Sequence, residues 1–243
     1  MARGFSTTFG SGSTDSVATN FTTLTAGVRS YAFWAYINGL GGGNLGRVFD
    51  SSTTTAGVDT LFIATGEFNY QRAFTLSTVT FQFPKPATGA WHHYCIVYDA
   101  SSTSNVPTIY VDGVSQTVTV AGSASGTAVT TTNDYRLGNR ESGTNRVWDG
   151  MLAEFCMWDA LLTAGEVVAI AKGASPQMVR PQSIVEYVPL LRDNISKKLA
   201  APTVTGTAVQ PHPRVFYPSS RILNKYNIRI PPFMHHYQQQ GVA

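Results

Sequence analysis

Two stretches determine the expected fold: WHHYCIVYD at residues 91–99 and, after a Ser/Asn/Pro-containing loop, TIYVDGV at residues 108–114. Both are rich in β-branched and aromatic residues, which favour strands. The second contains Asp112-Gly113, a pair that accepts the two positive φ angles of a tight hairpin turn. The sequence therefore predicts antiparallel strands and an all-β sandwich rather than an α/β enzyme.

Further short strands are predicted before this region, separated by clusters of Gly, Ser and Thr. They cover Arg3–Phe9, Val17–Phe21, Tyr31–Ile37, Arg47–Ser51, Thr60–Ala64 and Thr78–Phe83. Many short strands with such punctuation are typical of sandwiches and jelly rolls. One short helix, about Ala164–Lys172, is predicted because Thr163 and Glu166 have the spacing of a capping box, and Gly173 follows as a stop.

The order of several motifs resembles the laminin-G/pentraxin-like branch of the concanavalin A-like lectin/glucanase superfamily. They are a Trp-x-His start, a strand ending in Tyr-Asp, the sequence Ile-Tyr-Val-Asp-Gly, and a Gly-opened strand with a Leu-Thr helix cap at residues 150–163. Ala153 stands where the family has an acidic residue. Glu186–Leu190 resembles the closing strand, which in the family lies beside the first. The resemblance implies a jelly roll of two antiparallel sheets over residues 1–195.

Residues 196–243 have a different composition and are predicted to form an extended, Pro-rich, basic C-terminal arm. Six of the 17 Lys and Arg residues follow Asp193, whereas none of the 14 acidic residues does. Residues 1–193 thus have a net charge of −3, against +3 for the whole chain. Such asymmetry indicates an interaction segment. The alternation of apolar and basic residues over Arg221–Ile230 favours a strand that pairs with the sheet edge of another chain.

The composition also bears on the location of the protein. Charged residues make up 13% of the chain, about half of the usual proportion, which suits glycan contact or burial against other subunits. Residues 1–15 lack the apolar core of a secretory signal, and no apolar run is long enough to span a membrane. Synthesis in a host cytoplasm is therefore expected. Cys95 and Cys156 are expected to be buried free thiols.

The sequence predicts neither catalytic residues nor metal ligands. Glycoside hydrolysis needs two carboxyl groups facing one sugar, but Glu154 and Asp159 fall on opposite faces of a continuous strand. His92 and His93 face apart for the same reason, and His235-His236 lacks zinc-site spacing. No cofactor is predicted, although the pentraxin-like resemblance implies calcium. The loop residues with suitable oxygens do not form a calcium-binding loop; they are Asp50, Asp59, Asn69, Asp134, Asn139, Glu141 and Asp149.

The sequence favours a non-enzymatic virion structural protein, because it resembles bacteriophage virion proteins with laminin-G-like domains. A capsid decoration or cement protein and a tail or fibre component both fit. The expected partners are protein subunits, either further copies of this chain or a major capsid or tail protein, and neither a membrane nor nucleic acid. The predicted partner-binding residues of the arm are Arg214, Phe216, Tyr217, Arg221, Ile222, Lys225, Tyr226, Ile228, Arg229 and Ile230.

The alternative is a carbohydrate-binding lectin module for host or mucus glycans. Exposed aromatic rings stack on sugar faces, so aromatic residues of predicted strands and loops are the candidates for a glycan platform. The opposing interpretation is that they belong to the core, where aromatic residues dominate. The candidates are Trp34, Tyr36, Tyr70 and Trp148, with Phe68 as a further one.

Overall fold

The computed structural model describes residues 2–10, 12–19, 27–51, 59–130, 134–141, 145–190 and 201–217. Its helices are α1 (Ser6–Phe9) and α2 (Ala164–Ala171). Its strands are β1 (Ala2–Phe5), β2 (Ser16–Ala18), β3 (Val28–Ile37), β4 (Arg47–Asp50), β5 (Asp59–Ile63), β6 (Glu67–Phe74), β7 (Ser77–Pro84), β8 (Trp91–Asp99), β9 (Thr108–Val111), β10 (Val114–Ser115), β11 (Thr119–Ala121), β12 (Arg136–Leu137), β13 (Gly150–Trp158), β14 (Ile184–Val188), β15 (Thr203–Thr205) and β16 (Ala208–Gln210). Neither helix has the length and apolar character that crossing a membrane requires, within the described part of the chain.

The strands form two antiparallel sheets of eight strands each. The first sheet has the order β10-β9-β8-β3-β13-β1-β16, and β14 also pairs with β13. The second sheet has the order β11-β7-β6-β5-β4-β12-β2-β15. This is the two-sheet jelly roll that the sequence predicts.

The Asp-Gly turn between β9 and β10 forms as predicted. Asp112 has φ 52° and Gly113 has φ 80°, so both central residues of the turn adopt the left-handed region, as a type I′ hairpin requires. Val114 pairs with Val111 directly across the turn. The local sequence thus sets the register at this edge of the first sheet.

Aromatic side chains fill the space between the sheets. Tyr31, Phe33, Ala35 and Ile37 alternate inward along β3 and are buried, as the period-2 pattern predicts. The ring centroids of Phe33 and Tyr94 are 5.2 Å apart, a separation typical of stabilising aromatic pairs. This packing holds the two sheets together.

A second, smaller core lies between α2 and the outer face of the first sheet. The predicted capping box begins α2, because Glu166 N–H donates to Thr163 Oγ1 and Thr163 N–H donates to the Glu166 carboxylate. Beneath the helix, Cys95 and Cys156 are buried and free, and burial raises the pKa of both thiols. Both cysteines pair with Ala32 of β3, which lies between the two strands that carry them. Two strand spacings amount to about 10 Å, which is too far for a disulfide.

The closing strand does not lie beside the first strand, which corrects one expectation. Both pair with β13: β1 at Gly150–Leu152 and β14 at Phe155–Trp158. They therefore follow each other along β13, and a bulge between Ala153 and Cys156 separates the two pairings.

The segment 201–217 adds strands to both sheets. β15 pairs with β2 at the edge of the second sheet, and β16 pairs with β1 at the edge of the first. Residues 203–210 thus contribute one strand to each sheet. The predicted boundary between domain and arm, at residues 195–196, lies outside the described residues. Residues 201–210 belong structurally to the sandwich.

Candidate functional site

An open cleft lies at one end of the sandwich, where the glycine-rich loop after β3 approaches the beginnings of α1 and β13. Its volume is about 320 Å³. Small and polar residues predominate in its lining, with Leu40 and Val147 as apolar members. The lining residues are Ser6, Thr7, Thr8, Leu40, Gly41, Gly42, Asn44, Val147 and Asp149.

Asp149 is the carboxylate of this cleft. Its Oδ1 accepts a hydrogen bond of 2.7 Å from Ser6 Oγ, and its Oδ2 accepts one of 3.0 Å from Asn38 Nδ2. The backbone oxygen of Asp149 accepts the N–H groups of Asn38 and Gly39. A carboxylate offers about four acceptor positions. Ligand hydroxyl groups can therefore donate to those that Ser6 and Asn38 leave open.

Ser6 has an uncommon backbone conformation for a residue with a side chain. Its φ is 70°, in the left-handed region that costs a non-glycine residue of order 1–3 kcal/mol. Its hydroxyl is fixed by donating to Asp149 and by accepting the N–H of Thr8 at 3.3 Å. The surrounding structure thus holds Ser6 in a strained conformation at the cleft. Backbone strain of this kind is common at functional sites.

Close backbone approach shapes the opposite wall. Gly42 N–H donates to Val147 O at 2.8 Å, so the glycine-rich loop lies against residues 145–147. Gly41 has φ 69°, and a Cβ at this position would lie 2.3 Å from Val147 O. Any other residue at position 41 would push the loop away and change the shape of the cleft.

Partly exposed aromatic rings lie close to the cleft on the outer face of the first sheet. Tyr36 pairs with Trp91 on one side and with Met151 on the other, two residues from Asp149. The ring centroids of Tyr36 and Trp91 are 6.0 Å apart. Trp34 lies one pleat further along β3. The structure thus keeps Trp34 and Tyr36 partly exposed and adds Trp91, which the sequence analysis did not select.

The other three platform candidates require a correction. Phe68 and Trp148 are 0% exposed and Tyr70 is 1% exposed. They pack between the sheets, where the rings of Phe68 and Trp148 stack with centroids 6.1 Å apart. Their side chains face inward and cannot offer a ring face to a sugar.

His92 and His93 face opposite sides of β8, as predicted. His92 Nδ1 lies 2.6 Å from Asp112 Oδ2. His93 is fully buried against the Trp34 ring, and this burial lowers the pKa of His93 to about 3. Its imidazole is therefore neutral at physiological pH.

No group of three or more metal-ligating side chains occurs in the described ranges. Asp50, Asp59 and Asn69 belong to strands rather than to the loops in which the sequence analysis placed them. The buried carboxylate of Asp59 lies 3.2 Å from Arg29 and 3.3 Å from Arg72. These guanidinium groups supply the positive charge beside the Asp59 carboxylate that a bound cation would otherwise supply.

Two predicted arm residues, Tyr217 and Phe216, contact the chain's own sandwich, and a third, Arg214, contacts Phe216. Tyr217 OH donates to Glu154 at 2.6 Å. Phe216 N–H donates to Gly173 O at 2.7 Å, and the Arg214 guanidinium lies 4.9 Å from the Phe216 ring centroid. Their contact with a partner stays a prediction. The other predicted arm residues lie outside the described part of the chain: Arg221, Ile222, Lys225, Tyr226, Ile228, Arg229 and Ile230.

Glu154 has a structural role. It lies in the bulge of β13 with φ 54° and is buried. Its carboxylate accepts hydrogen bonds from Tyr187 and Tyr217 and lies 3.0 Å from His212 Nε2. This buried carboxylate thus fastens the segment 211–217 to the first sheet.

The sequence indicated Asp149 only as a loop residue with an oxygen suitable for calcium, and it did not indicate the residues that surround Asp149. Ser6 and Thr8 lie far from Asp149 in the chain, and their approach depends on the pairing of β1 with β13. The run Gly41-Gly42-Gly43 was the available signal, because consecutive glycines often mark close backbone approach.

A family model described as Concanavalin A-like lectin/glucanases superfamily (Laminin_G_3) matches residues 11–168. A search of curated proteins finds no match. Among solved structures, a candidate carbohydrate-binding protein from Bacteroides ovatus is 16% identical, with a TM-score of 0.56 over 85% of this chain and 58% of that one.

Two further structures are similar at lower scores. The heptameric SAP-like pentraxin of Limulus polyphemus is 15% identical over 65% of this chain and 75% of its own, with a TM-score of 0.49. The CBM40 domain of Ruminococcus gnavus IT-sialidase, bound to α2,3-sialyllactose, is 11% identical over 60% and 84%, with a TM-score of 0.47. Identities this low show similarity of fold alone.

Proposed function

The chain belongs to the Concanavalin A-like lectin/glucanases superfamily, and on that basis we propose that it is a non-enzymatic, lectin-like protein that binds a glycan in the cleft beside Asp149. The observation that carries the proposal is the Asp149 carboxylate, held by Ser6 and Asn38 with acceptor positions left open. Sugar hydroxyls donate readily to such a group. Leu40 and the nearby rings of Tyr36 and Trp91 offer apolar surface for the C–H face of a sugar.

The acidic groups of the cleft support binding without bond cleavage. Glycosidases of the common kinds use two carboxyl groups that flank the scissile bond. Among the described residues that line the cleft, Asp149 is the one carboxylate. The bound glycan is therefore expected to be released unchanged, with no increase in reducing ends after prolonged incubation. Because the described residues include no group of three or more metal-ligating side chains, glycan binding is expected to persist in EDTA.

The test is a glycan array probed with the full chain and with Asp149→Asn. We expect the variant to lose at least tenfold in affinity for the best glycan, because the amide offers one acceptor where the carboxylate offers two charged oxygens. Asp159→Asn is the matched control, since Asp159 is exposed at the end of β13. A blank array for the full chain, or equal binding by Asp149→Asn with an unchanged urea midpoint, would exclude this site.

A second function is proposed beside the first: a virion structural protein, either a capsid decoration or cement protein or a tail or fibre component, whose C-terminal residues bind neighbouring subunits. Two exposed apolar side chains on neighbouring segments support it. Phe216 is 53% exposed and Met178 is 47% exposed, and the backbone of Phe216 is hydrogen-bonded to that of Ser175, three residues before Met178. Apolar side chains at the surface are available for burial against another protein. Beyond residue 217 the chain has three basic residues and no acidic one.

A truncation after Tyr217 tests this second function. The structure sets the position, because an earlier cut at residue 201 would remove β15 and β16 from both sheets. We expect the full chain to form oligomers by light scattering and the truncated chain to be monomeric, with the same urea midpoint and the same glycan binding. A monomeric full chain that is also absent from purified particles, by mass spectrometry, would refute the structural role.

A further inference from the structure

Three arginine residues lie close together beside the glycine-rich loop. Arg47 begins β4, and Arg140 and Arg146 lie between β12 and β13. Arg47 N–H donates to Arg146 O at 2.9 Å. The Oδ1 atom of Asn139 accepts the backbone N–H groups of both Arg140, at 2.8 Å, and Arg146, at 3.2 Å. These backbone contacts hold the three residues in one small region.

The positive charges in this region exceed their carboxylate partners. Asp50 Oδ2 lies 3.1 Å from Arg47 Nε. Arg140 and Arg146 have no carboxylate within ion-pair distance in the described ranges. Burial, together with the repulsion of Arg140 and Arg146, lowers the pKa of Arg47 to about 10. Among the described residues, these three guanidinium groups thus have one carboxylate at ion-pair distance, that of Asp50.

Two further acidic residues and one further arginine lie in this neighbourhood. Asp134 and Glu141 both interact electrostatically with Arg136, whose backbone pairs with that of Asp50 across β12 and β4. Four arginine residues thus accompany the three carboxylates of Asp50, Asp134 and Glu141, which leaves an excess of one positive charge.

Unsatisfied donors point to a missing acceptor. The Nη1 atom of Arg47 and the Nε atom of Arg140 are buried and have no hydrogen-bond partner among the residues that the structure describes. A buried donor without a partner costs about 1–3 kcal/mol. The planar guanidinium group has a donor geometry that matches the oxygens of sulfate, phosphate and carboxylate. An oxyanion between these side chains would satisfy the donors and neutralise the excess charge.

This region adjoins the cleft directly. Arg146 Nη1 donates to Gly43 O at 3.3 Å, and Gly43 lies between the lining residues Gly42 and Asn44. A Cβ at Gly43 would lie 2.1 Å from Arg146 Nη1, so the glycine is what allows the guanidinium to cross the loop. Arg146 also precedes Val147, another lining residue.

We propose that Arg47, Arg140 and Arg146 form a binding site for an oxyanion, and that this oxyanion is the sulfate or carboxylate substituent of the glycan whose neutral part occupies the Asp149 cleft. The inference rests on the proposed glycan binding and specifies its substrate class as acidic saccharides. In this arrangement Asp149 accepts from the hydroxyl groups of the glycan, and the arginines donate to its acidic substituent.

The first experiment uses inorganic sulfate, with chloride at equal ionic strength as the reference. Sulfate is expected to raise the urea midpoint of the full chain, since a ligand that binds only the folded state stabilises it. Arg140→Gln and Arg146→Gln are each expected to remove at least half of this increase. Lys172→Gln is the matched control, because Lys172 is exposed at the end of α2, and its increase should equal that of the unaltered chain.

The second experiment compares sulfated, sialylated and neutral forms of the same oligosaccharide on the array. We expect an acidic form to bind at least tenfold more tightly than the neutral form, and Arg140→Gln to reduce this ratio to below threefold.

Equal binding of all forms, with no specific effect of sulfate, would refute the oxyanion site while the glycan function stands. An arginine-dependent sulfate effect with a blank array would keep the oxyanion site and remove the glycan function. An equal loss in Lys172→Gln would show unspecific charge attraction and refute the site.

Discussion

At the scale of single residues, the environment of a side chain decides its chemistry more than its type does. His92 and His93 are adjacent, yet His92 is partly exposed beside Asp112 whereas His93 is fully buried. Trp34 and Trp148 are both aromatic strand or loop residues, yet only Trp34 reaches the surface. Alternation along β8 puts the two imidazole rings on opposite faces, and the packing on each face decides which ring is buried. The second difference depends on which sheet face each segment packs against.

Burial of His93 makes the stability of the fold depend on pH. The folded-state pKa of about 3 is below the unfolded value of 6.5. Stability from the neutral imidazole is therefore complete above pH 6.5 and is lost as pH falls toward 3, by up to about 1.4 kcal/mol per pH unit. In His93→Leu, the free energy of unfolding should fall less between pH 6.5 and 4 than in the unaltered chain, as measured by urea titration.

His92→Gln is the control for this pH dependence, because it removes the neighbouring imidazole and leaves the buried one. Its pH profile should parallel that of the unaltered chain between pH 6.5 and 4. If His93→Leu also gave a parallel profile, the buried imidazole would not be a source of acid sensitivity.

At the scale of elements, the bulge in β13 connects the sheet to the C-terminal segment. The bulge turns Glu154 toward Tyr187, His212 and Tyr217, whereas regular pairing would continue the alternation of the strand. Residues 201–217, which the sequence assigns to the arm, are therefore held to the sandwich by strand pairing and by this carboxylate.

Glu154→Gln should loosen this segment without unfolding the sandwich. The amide keeps the size of the side chain but loses the charge-assisted contacts, a change worth about 1–3 kcal/mol. We expect trypsin to cleave the bond between Arg214 and Val215 about tenfold faster, since 1.4 kcal/mol corresponds to a factor of ten. Mass spectrometry of timed digests measures the rate.

Glu67→Gln provides the matched substitution, because Glu67 lies in the second sheet and accepts a hydrogen bond from Gln82 at 2.6 Å. Its cleavage after Arg214 should proceed at the unaltered rate. Identical rates in both variants would mean that Glu154 does not hold the segment.

At the scale of the whole molecule, the cleft with the three arginines and the exposed side chains of Phe216 and Met178 lie in different parts of the sandwich. The cleft and the three arginines lie at the end where the loop after β3 meets the beginnings of α1 and β13. Phe216 and Met178 lie in the region just after α2, where Phe216 pairs with Ala174. The glycan contact and the subunit contact that we propose would therefore use separate regions, so the two proposals are compatible in one chain.

The sequence by itself determined the features that depend on neighbours along the chain. The Asp112-Gly113 turn, the Thr163–Glu166 capping box and the inward alternation of Tyr31–Ile37 were predictable, because each follows from backbone preferences or from the period of a strand. The ordered motifs also indicated the family, which the match over residues 11–168 shows.

Only the tertiary structure decided which residues meet. Ser6 and Asp149 are 143 positions apart, and the pairing of β1 with β13 brings them together. Arg47 meets Arg146 only through the loops at the end of the sandwich. The burial of Tyr70 and Trp148, and the return of residues 203–210 to both sheets, likewise depend on the stacking of two sheets. A local pattern specifies which face of a strand is apolar, but not what that face packs against.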